Sequence, residues 1–178
     1  MNISQKVENS KTLKINLNLS SPYILLENDA YSYEFATEQG IRYSIYFLDY
    51  EYMFSDYPAI SKNIFMFNID VVSGKPDESI ADDRIGITIV EVFKIFFSKI
   101  ENVVVYVCDT LDERHLARKR KFDLWFWKFN DGTLLKEDGI AVVEGTTIYN
   151  SLLVHKSNKH WPEIVLAYNE LNERAGEK

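Results

Sequence analysis

A single cysteine, Cys108, stands in 178 residues, so the chain closes no internal disulfide, in keeping with a reducing compartment. Long apolar runs are also missing. The longest are broken by Lys94, Lys99 or Asp109, well short of a bilayer span, so no membrane partner is expected. The opening residues, Met1-Asn2-Ile3-Ser4-Gln5-Lys6, have no apolar core of a secretory signal. The expectation is a cytoplasmic protein. Basic excess is lacking too. Acids number 27 against 20 bases, a net charge of -7, which opposes general affinity for nucleic acid or anionic membrane. Signature motifs are equally scarce. There is no Gly-rich phosphate loop ending in Lys-Ser/Thr, no dinucleotide fingerprint and no zincin helix. The few histidines show no metal-ligand spacing, so no metal is expected.

What is present fits a globular protein. Hydrophobic residues at 46% and charged residues at 26% exclude disorder throughout. The length suits one domain over 1–178, with 1–10 and 174–178 expected to be loose. No repeat, low-complexity tract or linker interrupts it.

Alternation of apolar residues marks the strands. Leu13, Ile15, Leu17 and Leu19 predict a first strand. Tyr31, Tyr33 and Phe35, then Ile41, Tyr43, Ile45 and Phe47, predict a hairpin turned by Thr37-Glu38-Gln39-Gly40. Asn63 to Val72 reads as another strand. Val103 to Cys108, continuously apolar, reads as a strand buried on both faces. Ile140–Glu144 and Thr146–His155 follow, with Asp138-Gly139 and Gly145 marking turns.

Three helices are predicted between and after these strands. The first is capped by Asp82 or Asp83 and runs to about Lys99 on a stripe of Ile85, Ile89, Val92, Phe93, Phe96 and Ile100. The second opens on a capping box, Thr110-Leu111-Asp112-Glu113, and is closed by Asn130-Asp131-Gly132. The third starts at Pro162, with Ile164, Tyr168 and Leu171 buried. The fold class is therefore α/β (α+β): a single mixed, mostly antiparallel sheet with packed helices. The strands near Ile69 and Val105 are expected to be parallel neighbours joined through the first helix.

That order of elements resembles the acyl-CoA-dependent N-acetyltransferase superfamily over Tyr31 to Lys156. The resemblance implies an N-acetyltransferase-like topology, with acyl-CoA held where the crossover helix begins. The superfamily pattern there is Arg or Gln, two residues, Gly, one residue, then Gly or Ala. Here the stretch is Asp83-Arg84-Ile85-Gly86-Ile87-Thr88, in which Gly86 alone matches. Arg84 and Gly86 are the cofactor-binding candidates if the activity is present. Asp82 and Asp83 would repel a pyrophosphate. The helix tyrosine that protonates the leaving thiolate is replaced within Ala117-Arg118-Lys119-Arg120-Lys121-Phe122. No cofactor is expected unless this alternative holds. The chain also looks like an uncharacterised bacterial family of small proteins, through Tyr33-Glu34-Phe35-Ala36-Thr37, Val107-Cys108-Asp109 and Trp125-Phe126.

Two features could carry function. Eight of the 11 tyrosines fall between Tyr23 and Tyr57, which offers either a partner-binding face or simply suitable strand residues. On the second helix, Arg114, Arg118, Lys121 and Trp125 fall on one side, with Leu116, Phe122, Phe126 and Phe129 on the buried side. That stripe could bind an anion or acidic partner, or stack single-stranded nucleic acid on Trp125, or be only a solvated face. Cys108 with His155 is the conceivable nucleophile and base, and Asp70 with Asp109 the conceivable cation site. The leading expectation is a non-catalytic module binding a protein partner through the tyrosine-rich sheet or the basic helix. An atypical acyl-CoA-dependent N-acyltransferase and nucleic-acid binding are the alternatives.

Overall fold

The computed structural model describes residues 21–76, 82–108 and 114–175. The strand expected over Leu13 to Leu19, the capping box Thr110–Glu113 and Asp109 lie outside the described residues. Seven strands form one sheet: β1 (Leu26–Asp29), β2 (Ser32–Ala36), β3 (Arg42–Asp49), β4 (Ile64–Ser73), β5 (Val103–Cys108), β6 (Leu134–Val143) and β7 (Thr146–His155). Three helices accompany them: α1 (Asp83–Phe96), α2 (His115–Phe129) and α3 (Trp161–Ala175).

The spatial order is β1-β2-β3-β4-β5-β7-β6. All neighbours are antiparallel except β4 and β5, which run parallel from Ile64 opposite Val103 to Phe67 opposite Tyr106. A mixed sheet with that one parallel pair is the N-acetyltransferase-like topology that the order of elements implied.

Alternation along the strands sends side chains to two layers. On one face Phe35, Ile45, Phe67, Val104, Tyr106 and Leu153 pack against α1 and α2. On the other, Val103, Val105, Leu152 and Val154 meet Ile164, Ala167 and Tyr168 of α3. Strand β5 serves both layers, which is why it is an unbroken apolar run.

The hairpin β2–β3 turns as expected, with Gly40 at φ +76° and the Ile41 amide donating to the Thr37 hydroxyl at 3.2 Å. Strand β1 had no clear alternation to announce it. Asp82 caps α1, its carboxylate accepting from the Arg84 amide at 3.0 Å. The helix stops at Phe96 rather than Lys99, because the buried Asn102 side chain donates to the Phe96 carbonyl at 2.9 Å. Ile100 therefore falls beyond the helix and is exposed. Leu116, expected to be buried, is also exposed. It lies about 240° around α2 from Phe122, the residue that anchors the helix to the sheet.

Gly139 departs from its expected role. Strand β6 begins at Leu134, so Asp138-Gly139 lies inside the strand, with Gly139 opposite Asn150. A Cβ there would stand 2.5 Å from the Tyr168 hydroxyl and 2.7 Å from Asn150 Oδ1. Absence of a side chain, rather than turn geometry, is what the position requires. Arg174 lies in α3 and pairs with Asp56 at 2.7 Å.

Charged groups tie α2 to the β6–β7 end of the sheet. Lys119 meets Asp123 at 2.8 Å and Asp138 at 3.4 Å, and the buried Lys136 ammonium contacts Asp123 at 2.8 Å and also pairs with Asp138. The Ser151 hydroxyl donates to Asp138 at 2.7 Å. Desolvation pushes the Asp138 carboxyl up, but the Lys136 and Ser151 hydrogen bonds and the two lysine charges outweigh it and hold the group below the ordinary carboxylate range.

Two outcomes follow. Gly139→Ala is expected to cost about 1–3 kcal/mol in urea denaturation, because Tyr168 is fully buried and cannot retreat; an unchanged midpoint would contradict the close approach. Asp138 contributes stability above its unfolded pKa and loses it as pH falls through its lowered folded value. Asp138→Asn should therefore be less stable than the parent at neutral pH, the gap closing between about pH 5 and about pH 2. Parallel pH curves for the two proteins would refute that origin.

Candidate functional site

Strands β4 and β5 stay paired over only four residues. Beyond Phe67 and Tyr106 each follows its outer neighbour instead: β4 remains on β3 as far as Ser73, and β5 remains on β7 as far as Cys108. The two strands part, and a cleft of about 340 Å³ opens between them under α1 and α2.

Its walls combine aromatic and charged side chains. Phe67 and Tyr106 meet edge to face at 5.8 Å, and Phe122 of α2 stacks on Tyr106 at 4.3 Å. Arg118, Lys121 and Trp125 come from the same helix, spaced three and four residues apart so that they share one edge. The Lys121 ammonium lies 5.2 Å from the Trp125 ring, within cation–π range. Tyr43, Ile69 and Asp70 complete the sheet side. The Asp70 carboxylate accepts a hydrogen bond from the Tyr46 hydroxyl at 2.6 Å.

Three of the four residues expected on the basic stripe therefore converge on this cleft. Arg114 does not; it is exposed at the head of α2 and outside the lining. The structure also corrects the setting of Trp125. Instead of standing on a solvated face, its indole is half-buried against α1, directly over Gly86. A Cβ at position 86 would lie 2.5 Å from Trp125 Nε1.

The other two candidates, Arg84 and Gly86, form no open anion cradle. Arg84 pairs with Glu38, donates through Nε to the Ser21 carbonyl at 2.9 Å and lies 3.9 Å over the Tyr23 ring. Tyr23 in turn donates through its amide to the Thr88 hydroxyl at 2.8 Å and through its hydroxyl to Asp82 at 2.7 Å. Burial, and then the bond to Asp82, raise the Tyr23 pKa. The segment 21–23 and the Trp125 indole thus cover the head of α1, where Asp82 and Asp83 already supply negative charge. Asp83 also meets Lys128 at 3.3 Å.

The remaining sequence candidates are dispersed. Tyr23, Tyr33 and Tyr43 are buried, and Tyr23 and Tyr43 stack on Phe35 with ring centroids 5.7 Å and 5.1 Å away. These three belong to the core, whereas Tyr46 of β3 is half-buried on the opposite face with its hydroxyl on Asp70. Cys108 is opposite Tyr149 while His155 lies six residues along β7 opposite Leu134, roughly 20 Å away at strand spacing. Burial pushes the Cys108 thiol up, with the Tyr106 hydrogen bond opposing. Burial also pushes the Tyr106 hydroxyl far up, so both groups are neutral near pH 7. Among the described residues no group of three or more His, Cys, Asp or Glu is placed to hold a metal ion. No described helix is long and apolar enough to cross a membrane.

Sequence reasoning missed the aromatic floor formed by Tyr106 and Phe122. Its signal was the β5 residue nearest the end of the parallel pairing, which becomes legible only once that end is known.

Fold and cleft together define a mixed α/β protein of N-acetyltransferase-like topology whose strand splay is bordered by a basic second helix. The chain belongs to a family of unknown function (DUF6169), whose profile matches residues 81–170, the stretch that supplies α1, β5, α2 and the strands behind them. No curated protein matches it. Among solved structures it is similar to a CoA-dependent acyl-homoserine lactone synthase, MesI. The TM-score is 0.37 and the identity 13%, over 85% of this chain and 71% of that one.

The contact between Gly86 and Trp125 sets two effects against each other. Glycine to alanine inside a helix ordinarily stabilises by about 1 kcal/mol. Here the new methyl would displace the indole. Gly86→Ala is expected to lower the urea midpoint and to shift Trp125 emission; a stabilised variant with unchanged emission would show that the indole does not rest there.

Proposed function

We propose that this is a non-catalytic binding protein that takes a small anionic ligand with an apolar or flat part into the cleft between β4 and β5. The single observation that carries the reading is the convergence of Arg118, Lys121 and Trp125 on the opening where the strands part. Two cations beside a partly desolvated aromatic wall attract an anion more strongly than the same cations on an open helix. The wall itself offers apolar area to the rest of the ligand.

Among the described residues, the state of the groups around the cleft supports binding without turnover. Tyr106 and Cys108 are held neutral by burial, and Asp70 is engaged with Tyr46. Acyl-CoA bound in the manner of the superfamily is the less favoured reading, because the head of α1 is covered by residues 21–23 and by Trp125. What favours that second reading is the strand order itself, with one parallel pair joined through the crossover helix at whose start the resemblance places acyl-CoA. Nucleic-acid binding on α2 has less support, since the stacking candidate Trp125 faces α1. A protein partner fits the narrow cleft less well than a small molecule does.

An anionic naphthalene such as 1-anilinonaphthalene-8-sulfonate tests the proposal by fluorescence titration. Saturable binding is expected, weakened on the order of tenfold or more by Lys121→Glu through loss of a charge-assisted contact. The distant exposed substitution Lys99→Glu should leave it unchanged. Equal binding by the Lys121→Glu protein would discard the reading. Calorimetry with acetyl-CoA separates the alternative: heat abolished by the same substitution would favour the acyltransferase.

A further inference from the structure

A second cavity, about 190 Å³, lies between α1 and α2. Its walls are largely apolar, with Ile89 and Phe93 from α1, Phe97 just past its end, Phe126 from α2, and Leu134 and Leu153 from the sheet. Lys94 and Asp131 stand at its exposed rim, where Lys94 also pairs with Glu91 at 2.7 Å. Phe122 and Trp125 line this cavity and the splay cleft alike. The two spaces are neighbours divided by two aromatic side chains. One offers cations and the other offers hydrocarbon.

We infer that the ligand is an amphiphile, a medium-length acyl chain ending in an anionic head: Arg118 and Lys121 take the head, and the chain passes Phe122 and Trp125 into the second cavity. The inference rests on the binding reading above and narrows its ligand class. Charge complementarity selects the end that stays in the cleft. A hydrated or charged group would lose its water in the second cavity without a matching partner, whereas a hydrocarbon chain gains by leaving water. Phe122 is fixed by its stack on Tyr106, so the half-buried Trp125 is the side of the partition able to yield. A free fatty carboxylate carries the charge on the chain itself and an acyl-CoA carries it on the phosphates of its carrier, so both join an acyl chain to an anion.

The test is a chain-length series of butyrate, hexanoate, octanoate and decanoate, followed through Trp125 fluorescence. The background is the full-length chain carrying Trp127→Phe and Trp161→Phe, which leaves Trp125 as the one tryptophan. Affinity is expected to rise roughly three- to fourfold per added methylene, the increment for burying each CH₂. Ser98→Phe, at an exposed position on the cavity wall, should flatten the series beyond hexanoate and leave butyrate unaffected. Val90→Phe, about two helical turns before Ser98 on the same wall, should do likewise and guards against a fold-specific failure of the first variant. Decanoyl-CoA is titrated in parallel. Ser98-sensitive binding of the thioester without binding of decanoate supports the inference with a thioester source, and the reverse supports a free acid. A flat chain-length series with the naphthalene probe still bound through Lys121 overturns the inference alone. Failure of every anion, that probe included, removes the binding reading beneath it.

Discussion

Four residue pairs, Ile64 to Phe67 against Val103 to Tyr106, hold the two halves of the sheet together. All the other strand pairs are antiparallel: β1 to β4 form a meander on one side, and β5, β7 and β6 form a second antiparallel group on the other. The seam works because β5 is buried on both faces, so its backbone groups need strand partners on both edges. It ends where the outer neighbours win. Once Phe67 and Tyr106 are passed, β3 and β7 satisfy the strands on their far edges and the inner edges separate. The inner edges are left facing a cleft, the usual place for a ligand in a sheet with such a switch.

Charge is distributed unevenly around that opening. The head of α1 carries Asp82 and Asp83 and is closed by the Tyr23 and Arg84 contacts, whereas α2 brings Arg118 and Lys121 to the other side. A helix N-terminus favours anions only while its amides are accessible. Here Asp82 already accepts from the Arg84 amide, and Trp125 lies on the glycine that would otherwise allow close approach. The cationic border of the opening is thus α2 and not the head of α1.

Much of the fold was legible in particular residues. The Tyr31–Phe47 hairpin, the buried run Val103–Cys108 and the Asp82 cap of α1 were written in local patterns of period 2 or 3.6. Positions that answer to distant partners were not. Gly139 looked like a turn because Asp-Gly pairs usually are, but its neighbours Tyr168 and Asn150 are brought there by α3 and β7. Lys99 and Ile100 continued the helical period, yet the Asn102 side chain captured the Phe96 carbonyl and ended α1 earlier. Of the candidate site, the three residues Arg118, Lys121 and Trp125 were visible as one edge of a helix. Which surface that edge faced was not.

Taken by itself, the chain determined its elements, their order and the presence of one strand wet on neither face, because these follow from backbone propensity and the burial of nearby apolar side chains. Only the tertiary structure decided where β4 and β5 part, which tyrosines are core, and that Trp125 rests on Gly86. Those outcomes depend on competition between contacts far apart in the chain, here β3 and β7 against the shared seam, and on the space a neighbouring helix leaves for a ring. No local pattern encodes the winner of such a competition.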